Sequence, residues 1–340
     1  MVHLLGSLAG HGTGPPGRVR ALPFAIVPSF QPVPVDAPLR LLTVHAHPDD
    51  EASKGAATVA DLHARGVHCV LVCCTGGEAG EVLNPAMDRP EIHDDLAAIR
   101  QAELGRAAEV IGYDEVVMLG YRDSGMKDSE HNARPDCFAN ADHDEAVGRL
   151  VEIIRRVQPQ VLVTYPDARG EYDHPDHVQV HDISVPAFHA AADPDRYPEA
   201  GPAWQPSKLY FTMWSRARIK GLHDRFVELG LESPYDDSWF QRPSRDHLIT
   251  TRVPVDEHWN VRGEALRAHA TQIDPESNFW FGLPDDEART VYPFDDYRLE
   301  FSHVGPPVCA EDGYEVDLFA GIAGIAGEVG TGTDSARPGV

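Results

Sequence analysis

From residue 39 onward, short apolar runs rich in β-prone residues alternate with longer runs whose apolar positions recur at helical spacing, and few arrangements satisfy both. The strand candidates are 39–45, 68–75, 115–119 and 160–165, and between them lie helix-like segments at 51–65, 91–111 and 144–157. This alternation predicts an α/β fold, a Rossmann-like, mostly parallel sheet flanked by helices, because parallel strands need a crossover and the crossovers are right-handed. Beyond residue 192 the rhythm changes. A strand at 208–213, a helix at 215–230, a polar loop with aromatics at 231–247, a strand at 250–255 and a helix at 257–270 predict a smaller C-terminal α+β portion that completes the fold.

In an open α/β sheet, ligands bind beyond the carboxyl ends of the strands. The first such edge carries Ala46-His47-Pro48-Asp49-Asp50-Glu51. A dinucleotide site would place glycines here, whereas this turn offers an imidazole and two carboxylates. Pro48 disfavours the helical region at His47, so the chain is expected to stay extended there and to enter a helix with Asp49 and Asp50 near its N-terminus. Taken alone, the hexapeptide fits a metal site or an Asp-rich helix cap equally well.

The arrangement recurs at Tyr172-Asp173-His174-Pro175-Asp176-His177, after the strand candidate 160–165 and at the start of a helix opening at Pro175. Two acid-rich turns at one sheet edge can converge on one ion. His47, Asp50 and His177 with one open position form the pattern of a hydrolytic zinc site, one Zn²⁺ per chain, although ferrous iron suits the same donors. Asp49 is then the candidate general base, Tyr172 and His174 the candidates for holding the carbonyl oxygen, and Asp176 a partner that orients His174 and keeps it charged. His181 is expected to lie outside the ligand set. The glycine-rich 75–81 loop is either an anion-binding nest or a plain turn, Arg122 and Asp123 either read substrate groups or pair with each other, and 127–143 is long enough for a lid.

With 54 acidic against 29 basic residues the formal charge is −25, which argues against a nucleic-acid partner. No apolar run reaches membrane-spanning length, so no membrane association is expected. Five cysteines without zinc-knuckle spacing, three of them on one strand candidate, read as reduced core thiols in a cytoplasmic protein. Residues 1–38, with their Gly and Pro clusters, read as a disordered extension, 39–322 as the folded domain and 323–340 as a loose tail.

The paired motifs His47-Pro48-Asp49-Asp50-Glu51 and His174-Pro175-Asp176-His177 resemble the signature of the zinc-dependent N-acetylglucosaminyl-phosphatidylinositol de-N-acetylase family, also called LmbE-like. The stretches 45–57, 75–88, 266–275 and 317–321 resemble the branch of that family that acts on mycothiol S-conjugates, and the resemblance spans roughly 39 to 322. It implies zinc at His47, Asp50 and His177, a base at Asp49, oxyanion assistance from Tyr172 and His174, and sugar-inositol contacts from Glu81, Arg100 and Asp123. It also implies that Lys54, one of only four lysines, engages the cysteinyl end of a small-molecule thiol conjugate. The activity implied is amide hydrolysis of that conjugate. A deacetylase of N-acetylglucosaminyl-inositol, or a silent metal-binding protein, would use the same residues.

Overall fold

The computed structural model describes residues 38–322 except 170, 171 and 173, so the readings of 1–37 and 323–340 fall outside the described residues. Seven strands form one sheet in the order β3-β2-β1-β4-β5-β7-β6. Strands β1 (Arg40–His45), β2 (His68–Thr75), β3 (Glu115–Tyr121), β4 (Val161–Thr164) and β5 (Lys208–Met213) pair in parallel. Strand β7 (Phe294–Ser302) lies antiparallel between β5 and β6 (Thr251–Pro254).

The helices follow in chain order. They are α1 (Asp50–Ser53), α2 (Ala56–Ala64), α3 (Pro90–His93), α4 (Leu96–Ile111), α5 (His143–Val157) and α6 (Pro175–Ala190), then α7 (Arg216–Glu228), α8 (Asp237–Gln241), α9 (Trp259–Ala268), α10 (Asn278–Phe281) and α11 (Asp285–Val291). Among the described residues no helix is long and apolar enough to cross a membrane.

The period-two alternation of the strands sorts their side chains into two layers. Leu42 and Val44 of β1 pack with Val70, Leu162, and Leu150 and Ile183 from α5 and α6. Leu41 of the same strand points the other way, against Val59 and Leu62 of α2 and Leu266 of α9. With both faces covered, β1 is buried from Leu41 to His45, as a central parallel strand should be.

The expected helix at 51–65 is two helices. Gly55, at φ 95°, separates them, and a Cβ there would lie 2.6 Å from the Tyr297 hydroxyl, so the chain turns where only glycine fits beside β7. The expected helix at 91–111 likewise divides into α3 and α4. Strand β7 is the strand that the sequence reading leaves out, together with the short helices α8, α10 and α11. Its buried positions include Asp295 and Asp296, which accept from Thr58 and Tyr292, so charge hides an inward face. The 127–143 segment is pinned rather than lid-like, since Phe138 is fully buried, its N–H donates to Arg122 O at 2.7 Å, and the Ala139 N–H donates to Ser124 Oγ at 2.9 Å. At the far end, Glu315 is buried against Lys208 (Nζ to Oε1 2.6 Å) and the Tyr210 hydroxyl, which ties the last described segment to β5.

Candidate metal centre and its cavity

The β1–α1 turn is held in an uncommon shape by buried polar groups. Asp49 sits at φ 112°, ψ −23°, a left-handed conformation that a non-glycine residue adopts at a cost on the order of 1–3 kcal/mol. Its N–H donates to Glu51 Oε2 at 2.9 Å, and Glu51 Oε1 accepts from His269 Nε2 at 2.5 Å, with both side chains fully buried. Arg100 reaches in from α4 and donates to Pro48 O at 2.6 Å, to Asp49 Oδ2 at 3.1 Å and to Gly77 O. The Asp50 carboxylate accepts from the His47 N–H at 3.0 Å. Four groups thus fix the order in which the two neighbouring carboxylates face.

His47, Asp50 and His177 come together as the sequence predicts. Their candidate donor atoms lie within 4.8 Å of one another, and all three residues are buried. Asp50 Oδ2 is 3.4 Å from His47 Nδ1 and 3.4 Å from His177 Nε2. Ligand atoms around a tetrahedral zinc, with bonds of about 2.0–2.1 Å, stand about 3.3 Å apart, so both spacings from the Asp50 oxygen to an imidazole nitrogen suit the ion. Burial pushes His177 down to about 4 against the opposing charge of Asp50, which leaves its ring neutral with a lone pair to give. For His47 burial acts in the same direction, but hydrogen bonds with Asp123, Asp176 and Asp50 outweigh it and hold the ring well above the ordinary histidine range. The three carboxylates around this one imidazole favour positive charge at this place.

His174 caps α6, its Nδ1 accepting the Asp176 N–H at 3.2 Å. The proton of the neutral ring therefore sits on Nε2. Two expectations about this turn are corrected. The Asp176 carboxylate does not pair with His174; it accepts from Ser124 N at 3.0 Å and from Ser124 Oγ, and lies 3.1 Å from His47 Nε2. Nor is His174 kept charged, since burial and the nearby His47 charge lower it despite Asp176. Asp176 steadies His47 from behind, as a carboxylate does for a metal-binding imidazole. Tyr172 is more than half exposed, its ring edge-on to His177 at 4.9 Å. His181 faces away, Nδ1 at 3.0 Å from Tyr165 O.

The residues assigned to substrate are placed differently from expectation. Arg100 is 3% exposed and spent on the 48–49 turn and Gly77, so it positions Asp49 instead of reading a sugar. Its guanidinium also fills the concavity at Gly77, where a Cβ would lie 2.3 Å from Arg100 Cζ, so the glycine loop cradles an arginine and not an anion. Asp123 is buried with Oδ1 3.6 Å from His47 Nε2 and accepts from the Ala79 and Gly125 N–H groups, which makes it a neighbour of the candidate ligand His47. Glu81 is exposed, and its backbone carbonyl accepts from Gln272. Lys54 does reach the cavity, but its ammonium is donated to Asp50 Oδ1, the oxygen that faces away from the two imidazoles.

The metal end opens into a cavity of about 550 Å³, within the ordinary range for small-molecule sites. Asp49, Asp50, Lys54, Tyr172 and His177 line one end, and Trp214, Trp239, Phe279 and Trp280 line the other. The sequence reading missed these four aromatics, along with Ser124 and His269. The only trace of His269 was its place in the 266–275 run that resembles the family.

A profile described as PIG-L, GlcNAc-PI de-N-acetylase, matches residues 42–188, the span that holds both turns. The chain is 43% identical over 293 residues to a mycothiol S-conjugate amidase of Streptomyces coelicolor, covering 84% of this chain and 97% of that one. It is 41% identical over 297 residues to a 1D-myo-inositol 2-acetamido-2-deoxy-alpha-D-glucopyranoside deacetylase of Geodermatophilus obscurus, covering 84% and 98%. Among solved structures the fold is similar to N,N'-diacetylchitobiose deacetylase from Pyrococcus horikoshii, with TM-score 0.54 at 18% identity over 76% of this chain and 83% of that one. The chain belongs to the GlcNAc-PI de-N-acetylase family, PIG-L or LmbE-like, and is a hydrolase of the amidase and deacetylase type.

Proposed function

We propose that this member of the family hydrolyses the amide bond of mycothiol S-conjugates, releasing an N-acetylcysteine (mercapturate) conjugate and glucosaminyl-inositol, with one Zn²⁺ held by His47, Asp50 and His177. The observation that carries the reading is the room beyond the ligand triad. An acetyl group would leave most of the roughly 550 Å³ cavity unused, whereas a cysteinyl group with a substituent on sulfur extends into it. The 43% identical relative supports the same choice.

A zinc ion at the triad supplies Lewis acidity and lowers the pKa of a water toward neutrality. Asp49, raised by burial although Arg100 opposes the shift, takes the proton from the water that adds to the carbonyl carbon. The carbonyl oxygen receives hydrogen bonds from His174 Nε2–H and the Tyr172 hydroxyl. The C–N bond then breaks, and the proton held on Asp49 passes to the departing amine. Lys54 and Tyr165 flank the path of the acyl group.

The second reading, deacetylation of N-acetylglucosaminyl-inositol, is favoured by the nearly equal 41% identity to the Geodermatophilus enzyme. We place the enzyme in the cytoplasm. Its buried free thiols suit a reducing compartment, with Cys69 pushed up to about 12 by burial and Cys73 and Cys74 also held well above the ordinary thiol range by burial.

The deciding measurement is kcat/KM for free-amine release by the zinc-loaded protein from a fluorescent mycothiol S-conjugate and from N-acetylglucosaminyl-inositol. At least tenfold preference for the conjugate is expected. The reverse preference would make the chain a deacetylase.

A further inference from the structure

We propose that the end of the cavity away from the metal ligands is a subsite for a flat aromatic group carried on the substrate's sulfur; this rests on the amidase reading above. Three of the chain's five tryptophans, Trp214, Trp239 and Trp280, line the same cavity as Asp49, Asp50 and Lys54. Phe279 joins them. Its ring is nearly parallel to Trp214 (11°, centroids 6.1 Å apart), edge-on to Trp280 (85°, 4.7 Å) and tilted 32° from Trp239 at 5.9 Å. Faces and edges in this mixture are what an additional arene can meet in offset or T-shaped contact.

A purely structural aromatic cluster would bury its rings. Here Phe226, Tyr235 and Leu283 form the buried base, while Trp214, Trp239, Phe279 and Trp280 remain partly exposed. Leu83, Leu266 and Ile273 add apolar wall to the same cavity. A polyol would need a donor or acceptor for each hydroxyl, and the aromatic and aliphatic side chains of this wall offer few, while Gln272 Nε2 is already given to Glu81 O and the Arg242 guanidinium lies over the Trp239 ring at 5.6 Å.

The cavity also has a direction. Asp123, His174 and Asp176 gather around His47 at the polar side of the metal end, next to the carbonyl that His174 would hold, so we assign the sugar half of an amide substrate to that side and the apolar half to the aromatics past Lys54. An arene on sulfur matches that wall, and glucosaminyl-inositol does not.

The test uses the zinc-loaded full chain with two mycothiol conjugates, S-naphthylmethyl and S-methyl. Independently of turnover, the protein is titrated with N-acetyl-S-(naphthylmethyl)cysteine while tryptophan fluorescence is followed. We expect kcat/KM to be at least tenfold higher for the naphthylmethyl conjugate, expressed in KM, with saturable quenching by the acid. Trp239→Ala should lower the preference ratio at least fivefold, and Trp239→Phe should retain most of it, which separates lost stacking from lost folding. Equal kcat/KM on both conjugates with no quenching overturns the subsite and leaves the amidase reading standing. Quenching that Trp239→Ala abolishes, with no turnover of either conjugate, supports the subsite and removes the amidase reading.

Discussion

The two ends of the cavity are built by opposite means. At the metal end the reactive groups come from two short turns at the edge of the parallel strands, the first braced by Arg100 and the buried Glu51–His269 pair and the second by the buried Asp176 carboxylate on Ser124 and His47. At the aromatic end the rings come from the end of β5 and from the four- and five-residue helices α10 and α8, and they rest on one another. Under the function and subsite proposed above, chemistry is carried by the part of the fold that alternation makes predictable, and selectivity by the part added after it. The first should respond steeply to small changes and the second gradually.

The steepest response should come from the base. Asp49→Asn should lower kcat/KM by about a thousandfold, as loss of a general base does, while zinc content measured by elemental analysis stays at the parent level. Activity near that of the parent would remove Asp49 from the mechanism. Stripping the metal with a chelator should abolish turnover, and zinc should restore it; turnover that survives dialysed metal loss would break the contrast at its root.

Next in size is the buried pair behind the turn. His269→Ala leaves Glu51 buried and uncompensated, and should cost about 3–5 kcal/mol in urea unfolding, whereas the double variant with Glu51→Gln should recover part of it. The pair also sets a pH window. Although burial opposes ionisation in each case, the His269 charge holds Glu51 below its ordinary 4.5, and the Glu51 charge holds His269 above its ordinary 6.5. The contribution of the pair is therefore full between those two values. It is lost as pH falls through the folded Glu51 value and again as pH rises through that of His269. Stability curves of parent and His269→Ala that run parallel across pH would contradict this.

A smaller effect sharpens the role of Arg100. Burial raises Asp49 and Arg100 opposes the shift, so Arg100→Met should raise Asp49 further. A general base works only above its pKa, and the acid limb of kcat/KM should accordingly move to higher pH. The smallest effect belongs to the other end. Phe279→Ala, at a partly exposed position, should cost about 1–2 kcal/mol and leave that acid limb where it was. An acid limb that moves with Phe279 would show that the two ends are not independent.

This division also explains what the sequence makes legible. Strands β1, β2, β4 and β5 are apolar runs buried throughout or nearly so, and their pattern is strong. The ligand triad is legible because His47 and Asp50, and His174 and His177, are spaced for the turns that hold them. Strand β7 is not legible, since Asp295 and Asp296 face inward and are neutralised by partners far away in the chain. For the same reason Arg100 reads as a substrate contact until Pro48 O and Gly77 O are seen beneath it. Glu51 and His269 are 218 positions apart, and no local pattern joins them.

That separation bears on how the enzyme is made. The turn that carries His47 and Asp50 leaves the ribosome early, yet the imidazole that neutralises its buried Glu51 arrives only with His269, and the strand that fills the gap between β5 and β6 later still. Until then the nascent chain carries an unsatisfied carboxylate under its future metal site and an open edge on β5, the kind of edge that pairs with other chains. The amidase should therefore be inactive at every intermediate length, and vulnerable to misassembly late in its synthesis.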